Sequence, residues 1–424
     1  MTALTSLTLP NGSTLPNRFA KAAMEENMAN KDHAPSEALI RLYRTWAEGE
    51  VGLMLTGNVM VDHRAMTGPG GVVLENERHA EHFKAWSAAA TSRGAQVWMQ
   101  LNHPGRQMPA ALQQDTIAPS EVPMELGGFS KQFMPPRAMS EADIADVTAR
   151  FVKTSVLAER FGFSGVQIHA AHGYLLSQFL SPITNKRTDR WAGAIENRAR
   201  LLVEVVKGVR AAVDKGFAVS VKLNSADFQS RRLQRGRRQA GRRDAQSAGR
   251  GPYRAVRRQL RGPGHARPGP RWPHPDTRSL LPGVRQGPRR GGRHAHHGDR
   301  RHPPAAGGRT GAGQRIDMVG MGTALAIDPA LPKAWRQGTD SAPVLRPITW
   351  RNKVLASVGY MAMVKHQLHR LSLGRRANPD VAVPTLGAPP GLSPLPHRRK
   401  RRKLCDGNSP KRCSYALAKM PWFT

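Results

Sequence analysis

Val166-Gln-Ile-His-Ala-Ala-His-Gly-Tyr-Leu-Leu-Ser-Gln-Phe-Leu-Ser-Pro-Ile-Thr-Asn-Lys-Arg187, followed by Asp189-Arg-Trp-Ala-Gly193 and Glu196-Asn-Arg198, decides how this chain is read. Gly165 to His169 is a short apolar run with the makings of a strand. At its end come two histidines three residues apart, His169 and His172, and then Tyr174. Imidazole N–H groups and a phenol suit an anionic or carbonyl ligand, held by hydrogen bonds and then given a proton. A zinc site would need a further ligand near by; no acidic residue supplies one, and no metal is expected.

Working outward, residues 1–229 alternate between strand-like and helix-like text. Asn17 to Lys21, Val51 to Thr56, Ala95 to Leu101, Gly165 to His169 and Ala218 to Leu223 are the strand candidates. Between them, Pro35 to Glu48 carries helical spacing through Leu39, Leu42, Tyr43 and Trp46. His79 to Arg93 and Ile195 to Val213 also read as helices, and Ser140 opens another with Glu141 and Asp143 in its first turn, running to about Arg160. Strands each followed by a helix imply a parallel sheet. Five such units suit an α/β (β/α)8 TIM barrel that is incomplete, although periodicity alone also allows an open, doubly wound sheet.

Composition then breaks the chain into segments. The whole carries +35, but residues 1–229 hold 24 Lys/Arg against 22 Asp/Glu, a net of +2. Residues 230–315 hold 23 against 3, a net of +20, and residues 316–424 hold 18 against 5, a net of +13. The segment 230–315 is dominated by Arg, Gly and Pro and shows no apolar period, so it is expected to be disordered. Strand text returns at Ile316-Asp-Met-Val-Gly-Met-Gly-Thr-Ala-Leu-Ala-Ile-Asp-Pro329, read as a strand running into a loop, and the unit 316–378 holds the last strand and C-terminal helices. Residues 379–424 form a Pro-rich and then basic tail, also expected to be disordered. No secretory signal or membrane span is legible, which makes the cytoplasm the expected location. Cys405 and Cys413 both lie in the tail, so no disulfide framework is expected.

The His169–Arg198 text closely resembles the old yellow enzyme family of flavin-dependent ene-reductases. The resemblance is strong over residues 1–229 and weaker from 316 to about 375. It implies a barrel with FMN across its C-terminal mouth, NAD(P)H as reductant and a small activated alkene as substrate. On this resemblance Ala23, Met24 and Gly57 would lie under the flavin ring. Gln100, in Gln-Leu-Asn-His-Pro-Gly-Arg106, would bond its pyrimidine end, and Lys222 would stand near N1 and O2. Gly322 would help hold the phosphate. His169 and His172 would hold a substrate carbonyl or nitro oxygen, and Tyr174 would donate the proton. Asn185-Lys-Arg187, Asp189 and Asn197-Arg198 match family markers whose expected part is to pin a loop. The two tail cysteines also argue against relatives that carry an iron–sulfur domain.

Two residues depart from the pattern. Glu25 stands where the family has threonine or cysteine at flavin O4, and a carboxylate there disfavours electron gain by the ring. Thr323 stands where many relatives have an arginine. The segment 230–315 has the length of two missing barrel strands, the sixth and seventh, but the wrong residues. Arg231–Gly236, Gly249–Ala266 and His297–Pro304 can each be encoded so that the frame one nucleotide later spells glycine-rich, family-like text in the right order. One extra base near Ser230, with the frame restored near Arg315, is therefore expected. The competing reading is a non-catalytic, partly disordered basic protein that binds nucleic acid or another polyanion. Tyr253 and Trp272 are the segment's only aromatics, too few for a stacking platform.

Overall fold

The computed structural model describes residues 3–224, 317–348, 350 and 353–381. The expectations for 230–315, for the tail beyond 381 and for both cysteines lie outside these residues. Six strands form the path of one parallel sheet, which the two-residue strand Val72–Val73 joins beside β2: β1 Phe19–Lys21, β2 Leu53–Met60, β3 Gln96–Asn102, β4 Gly165–Ala170, β5 Ala218–Leu223 and β6 Val319–Met321. Their order in space is β5-β4-β3-β2-β1-β6, so successive strands are neighbours and the last lies beside the first. A doubly wound sheet would reverse direction part-way, whereas a barrel keeps chain order round its wall. The described strands are thus the first five and the last of an incomplete TIM barrel.

Alternation along the strands makes the two faces. Val97, Met99, Val166 and Ile168 point to the outer layer, packed with α1 Glu37–Glu48, α2 Ala80–Thr91, α3 Glu141–Arg160 and the helix α5 Arg200–Ala212. Leu53, Leu55, Trp98 and Ala218 point inward, where Leu9 and Leu15 of an N-terminal hairpin plug the barrel's lower end. Above that apolar plug the inward positions turn polar: Gln100, Gln167 and Ser220, then His169 and Lys222, all buried. This polarity gradient puts the chemistry at the carboxyl ends of the strands.

Local signals set the element ends. Ser36 accepts from the Leu39 amide at 3.2 Å to start α1, and Ser140 and Asp143 close a reciprocal capping box at the start of α3. Two expectations need correction. The helix expected over Ile195–Val213 is a single turn, Ile195–Arg198, and then α5, because Arg198 and Arg200 reach back to the Leu180 and Arg190 carbonyls. The loop expected after β6 is instead a helix, α6 Thr323–Ile327, followed by α7 Leu331–Arg336 and α8 Lys353–Ser372. Burial of Leu325 and Ala326 against the outer layer outweighs the weak local signal.

Candidate active site

Beneath the mouth lies a buried polar knot. Lys21, fully buried on β1, donates to Glu26 Oε1 at 2.6 Å, to the Leu55 carbonyl at 2.8 Å and to Tyr43 Oη at 3.1 Å. Tyr43 Oη also donates to Glu26, whose second oxygen accepts from the Gly57 amide at 3.0 Å. Desolvation pulls Lys21 below its usual pKa, and the Glu26 carboxylate opposes this. A Cβ at Gly57 would collide with the Glu26 carboxylate and the Met24 carbonyl. Gly57 therefore gives room to the protein's own loop, which carries Met24 past β2.

At the mouth, Lys222 Nζ donates to Gln100 Oε1 at 3.0 Å, and Gln100 Nε2 donates to Asn58 Oδ1 at 2.7 Å. Asn58 Nδ2 donates in turn to Glu25, which also accepts from Thr67 Oγ1 at 3.3 Å. Burial, then repulsion from Lys21, brings Lys222 down to about 7. Glu25 is half-buried, yet the protein round it desolvates the carboxyl and pushes it up to about 7; Lys365 on α8 works against that rise.

His169 Nδ1 lies 3.0 Å from Asn102 Oδ1, and its Nε2 lies 2.9 Å from His172 Nδ1. Asn102 Oδ1 is an acceptor, so it selects the Nδ1–H tautomer of His169, whose Nε2 then accepts from His172. The pair is thus bonded to itself, and an oxygen ligand can have both rings only after that bond opens. Burial holds His169 well below its ordinary pKa and brings His172 down to about 4, with Lys222 adding repulsion to each. Both rings are neutral at physiological pH. His172 sits at φ 58° and its amide donates to Asn224 Oδ1, a turn that swings the ring back over β4. The Tyr174 ring centroid is 4.9 Å from that of His169. Burial and then Glu25 raise the Tyr174 phenol well above its usual pKa, while a hydrogen bond with Asn58 opposes them. It stays protonated and can give a proton.

His169, His172, Tyr174, Gln100 and Lys222 therefore share one site. Met24 lies beside Gly322, where an added Cβ would meet its sulfur at 3.6 Å, an ordinary contact. Ala23, at the other end of the β1 turn, packs toward the inner plug. Thr323 Oγ1 pairs with Tyr360 Oη at 3.1 Å. Asn185 Nδ2 donates to the Phe179 and Trp191 carbonyls, and Arg187 pairs with Asp189, which pins the loop after α4 Leu175–Leu180. Sequence reading missed Asn58, Asn102, Thr67 and Lys365, since a lone amide or lysine far away in the chain carries no local signal. It also missed Asp62, His63 and Glu75, whose ligand-type atoms lie within 4.8 Å of one another. Arg64 and Arg150 pair with that cluster and account for its charge.

Residues 5–234 match the model of the NADH:flavin oxidoreductase / NADH oxidase family. The chain belongs to that family. The NADH-dependent flavin oxidoreductase iliE of Neonectria sp. (strain DH2) is 43% identical over 240 residues, 53% of this chain and 31% of that protein. The NADH-dependent flavin oxidoreductase nadA of Aspergillus parasiticus is 39% identical over 227 residues, 50% of this chain and 51% of that protein. The chain thus spans about half, or less, of these NADH:flavin oxidoreductases. Among solved structures, a 2-naphthoyl-CoA reductase complex superposes with a TM-score of 0.50 at 26% identity, covering 53% of this chain and 35% of that one. Among the described residues no helix is long and apolar enough to cross a membrane.

The donor set fits the ring half of the FMN that this family implies. Lys222 has N–H donors beyond the one given to Gln100, and the amides of Gln100 and Gln167 stand in the same buried layer. Gln167 has both side-chain polar atoms buried without a partner. An ionised Glu25 suits a carbonyl edge poorly, and a protonated one suits it well. Apart from Gly322, the stretch expected to hold the phosphate falls between 225 and 316, outside the described residues.

Proposed function

We propose that this mouth is the active site of an FMN-dependent reductase that takes reducing equivalents from NAD(P)H and passes them to an activated alkene. The observation that carries the proposal is the convergence of Lys222, Gln100, His169, His172 and Tyr174 at the carboxyl ends of three neighbouring strands. FMN, when bound, supplies the hydride chemistry. Gln100 and Lys222 would hold its pyrimidine edge, with the Lys222 charge offsetting negative charge that develops there. Ala23, Met24, Gly57 and Gly322 would line the adjoining wall. His172, released from His169, would donate its Nδ1–H to a carbonyl or nitro oxygen and polarise the neighbouring double bond. His169 would join it once the unpartnered Nδ2 of Asn102 turns to its Nδ1 and its proton sits on Nε2. Tyr174 would then release its phenolic proton to carbon, and the Asn58 hydrogen bond would stabilise the phenolate left behind.

In the sequence as written, basic text replaces the strands expected to complete the barrel and cradle the phosphate. We therefore expect the purified chain to hold FMN weakly. The test is titration with FMN, followed by NAD(P)H oxidation with and without an activated enone. Stoichiometric flavin and steady turnover would overturn the expected weakness. A chain whose 230–315 frame has been shifted by one base, and which still bound no flavin, would sink the reductase reading. The basic composition supports one further expectation: the chain adheres to polyanions, with an affinity that falls steeply with salt.

A further inference from the structure

The hydrogen bonds across the mouth run in one direction. Lys222 donates to Gln100, Gln100 to Asn58, and Asn58 to Glu25, so a cation stands at one end and a carboxylate at the other. Each amide has one donor face and one acceptor face, so the two ends determine which way both amides point. An ammonium offers no acceptor, which turns Gln100 Oε1 toward Lys222. An ionised carboxylate offers no donor, which turns Asn58 Nδ2 toward Glu25. In this arrangement Gln100 Nε2 is used by Asn58 and faces away from Lys222.

We propose that Glu25 is a positioning residue: its ionisation, passed through Asn58, sets which face of the Gln100 amide is presented on the Lys222 side of the mouth. With Glu25 protonated, its O–H donates to Asn58 Oδ1, Asn58 turns, and its Nδ2 takes Gln100 Oε1. Gln100 Nε2 is then turned to the Lys222 side, where it and the Lys222 ammonium donate to one shared acceptor, a water in the free site or a ligand atom in the occupied one. One proton on Glu25 thus exchanges an acceptor for a donor beside Lys222, and the proton is exchanged with solvent at this half-buried rim.

The surroundings keep both states within reach. Glu26 on the adjoining residue repels the ionised form of Glu25, and Lys365 on α8, which also donates to Asn27 Oδ1 at 2.6 Å, attracts it. Thr67 and Asn58 donate to the carboxylate from the β2 side. Tyr174 and Lys222 face it across the mouth, and Lys21 lies below, paired with Glu26. The balance of burial against these cations is consistent with a carboxyl that titrates at about 7.

The test needs no flavin, so its outcome is separate from that of the reductase reading. The chain is prepared with 15N in glutamine side-chain amides, and the Gln100 signal is identified by its loss in Gln100→Glu. In the native chain that signal should step once between about pH 6 and pH 8. The step should vanish in Glu25→Gln and in Asn58→Ala, and persist in Lys222→Met, which removes the other group titrating nearby. Persistence in Glu25→Gln would assign the step to Lys222 and overturn the proposal. Persistence in Asn58→Ala would show a through-space field in place of the relay, and would overturn it too. A flat native signal would do the same. If Asn58→Ala fails to fold, Asn58→Leu, close in size and unable to relay a hydrogen bond, takes its place in the same comparison.

Discussion

Lys21 illustrates how single residues hold this mouth in shape. Its ammonium sits 4.7 Å from the centroid of the Trp46 ring and 4.9 Å from that of Tyr43, with Glu26 as its counter-charge. Glu26→Gln would leave that cation buried and unpaired, and should cost roughly 3–5 kcal/mol in urea unfolding. Glu25 and Lys222 give opposite pH dependences. Glu25 is raised from 4.5 to about 7, so the folded chain binds more protons in that window and stability falls as pH rises through it. Lys222 is lowered from 10.5 to about 7, so the stability it contributes is present above the unfolded value and is lost as pH falls toward 7. Unfolding followed from pH 4.5 to pH 10.5 should show Glu25→Gln flattening only the acidic limb and Lys222→Met only the alkaline limb. On the proposed reductase reading, Tyr174→Phe in the flavin-loaded, frame-shifted chain should leave flavin reduction by NAD(P)H intact and slow alkene turnover by about 100-fold or more, read from the two half-reactions separately. His169, His172 and Tyr174 could be singled out because they fall within 6 residues of one another at a strand end. Asn58, Asn102 and Lys365 could not, because each reaches the site from an element of its own and its partners are settled only by packing.

Elements follow the same logic at longer range. Strand β5 was legible to the residue, since Ala218 to Leu223 is apolar, alternates and is bounded by Gly216 and Asn224. Strand β2 was underestimated: it continues past Gly57 to Met60, because the glycine accommodates the Glu26 loop and lets pairing with β3 resume after an irregularity at Leu55–Asn58. Helix α6 was missed, as five residues carry too little period to identify without their packing partners. Helix α3 depends on its capping box, where Asp143 is held well below the usual carboxylate range by Arg137 and by the Ser140 amide and hydroxyl. Ser140→Ala should cost about 1 kcal/mol in the same urea assay. Because Asp143 is a depressed acid, its contribution is lost as pH falls below the unfolded value, so the penalty of Ser140→Ala should shrink in acid.

At the scale of the whole molecule, most of the net charge lies outside residues 1–229. Residues 1–229 carry +2 of the +35, so ionic strength should scarcely affect the barrel and should strongly affect retention on a polyanion column. The genomic DNA encoding residues 220–325 offers the matching check. If the extra base proposed near codon 230 disappears on resequencing, the corrected text should complete the barrel; if it persists, the expected weak FMN binding applies to the chain as written.

The place of β6 beside β1 has one more consequence. Val319, Gly320 and Met321 pair in register with Phe19, Ala20 and Lys21, and Arg18 reaches the Asp317 carbonyl at 3.1 Å. The address at which the late part docks is thus written in the first 21 residues. The text between Asn224 and Asp317 is, in engineering terms, a cassette: an insert of suitable span from an intact relative could be spliced there while both flanks keep their own contacts.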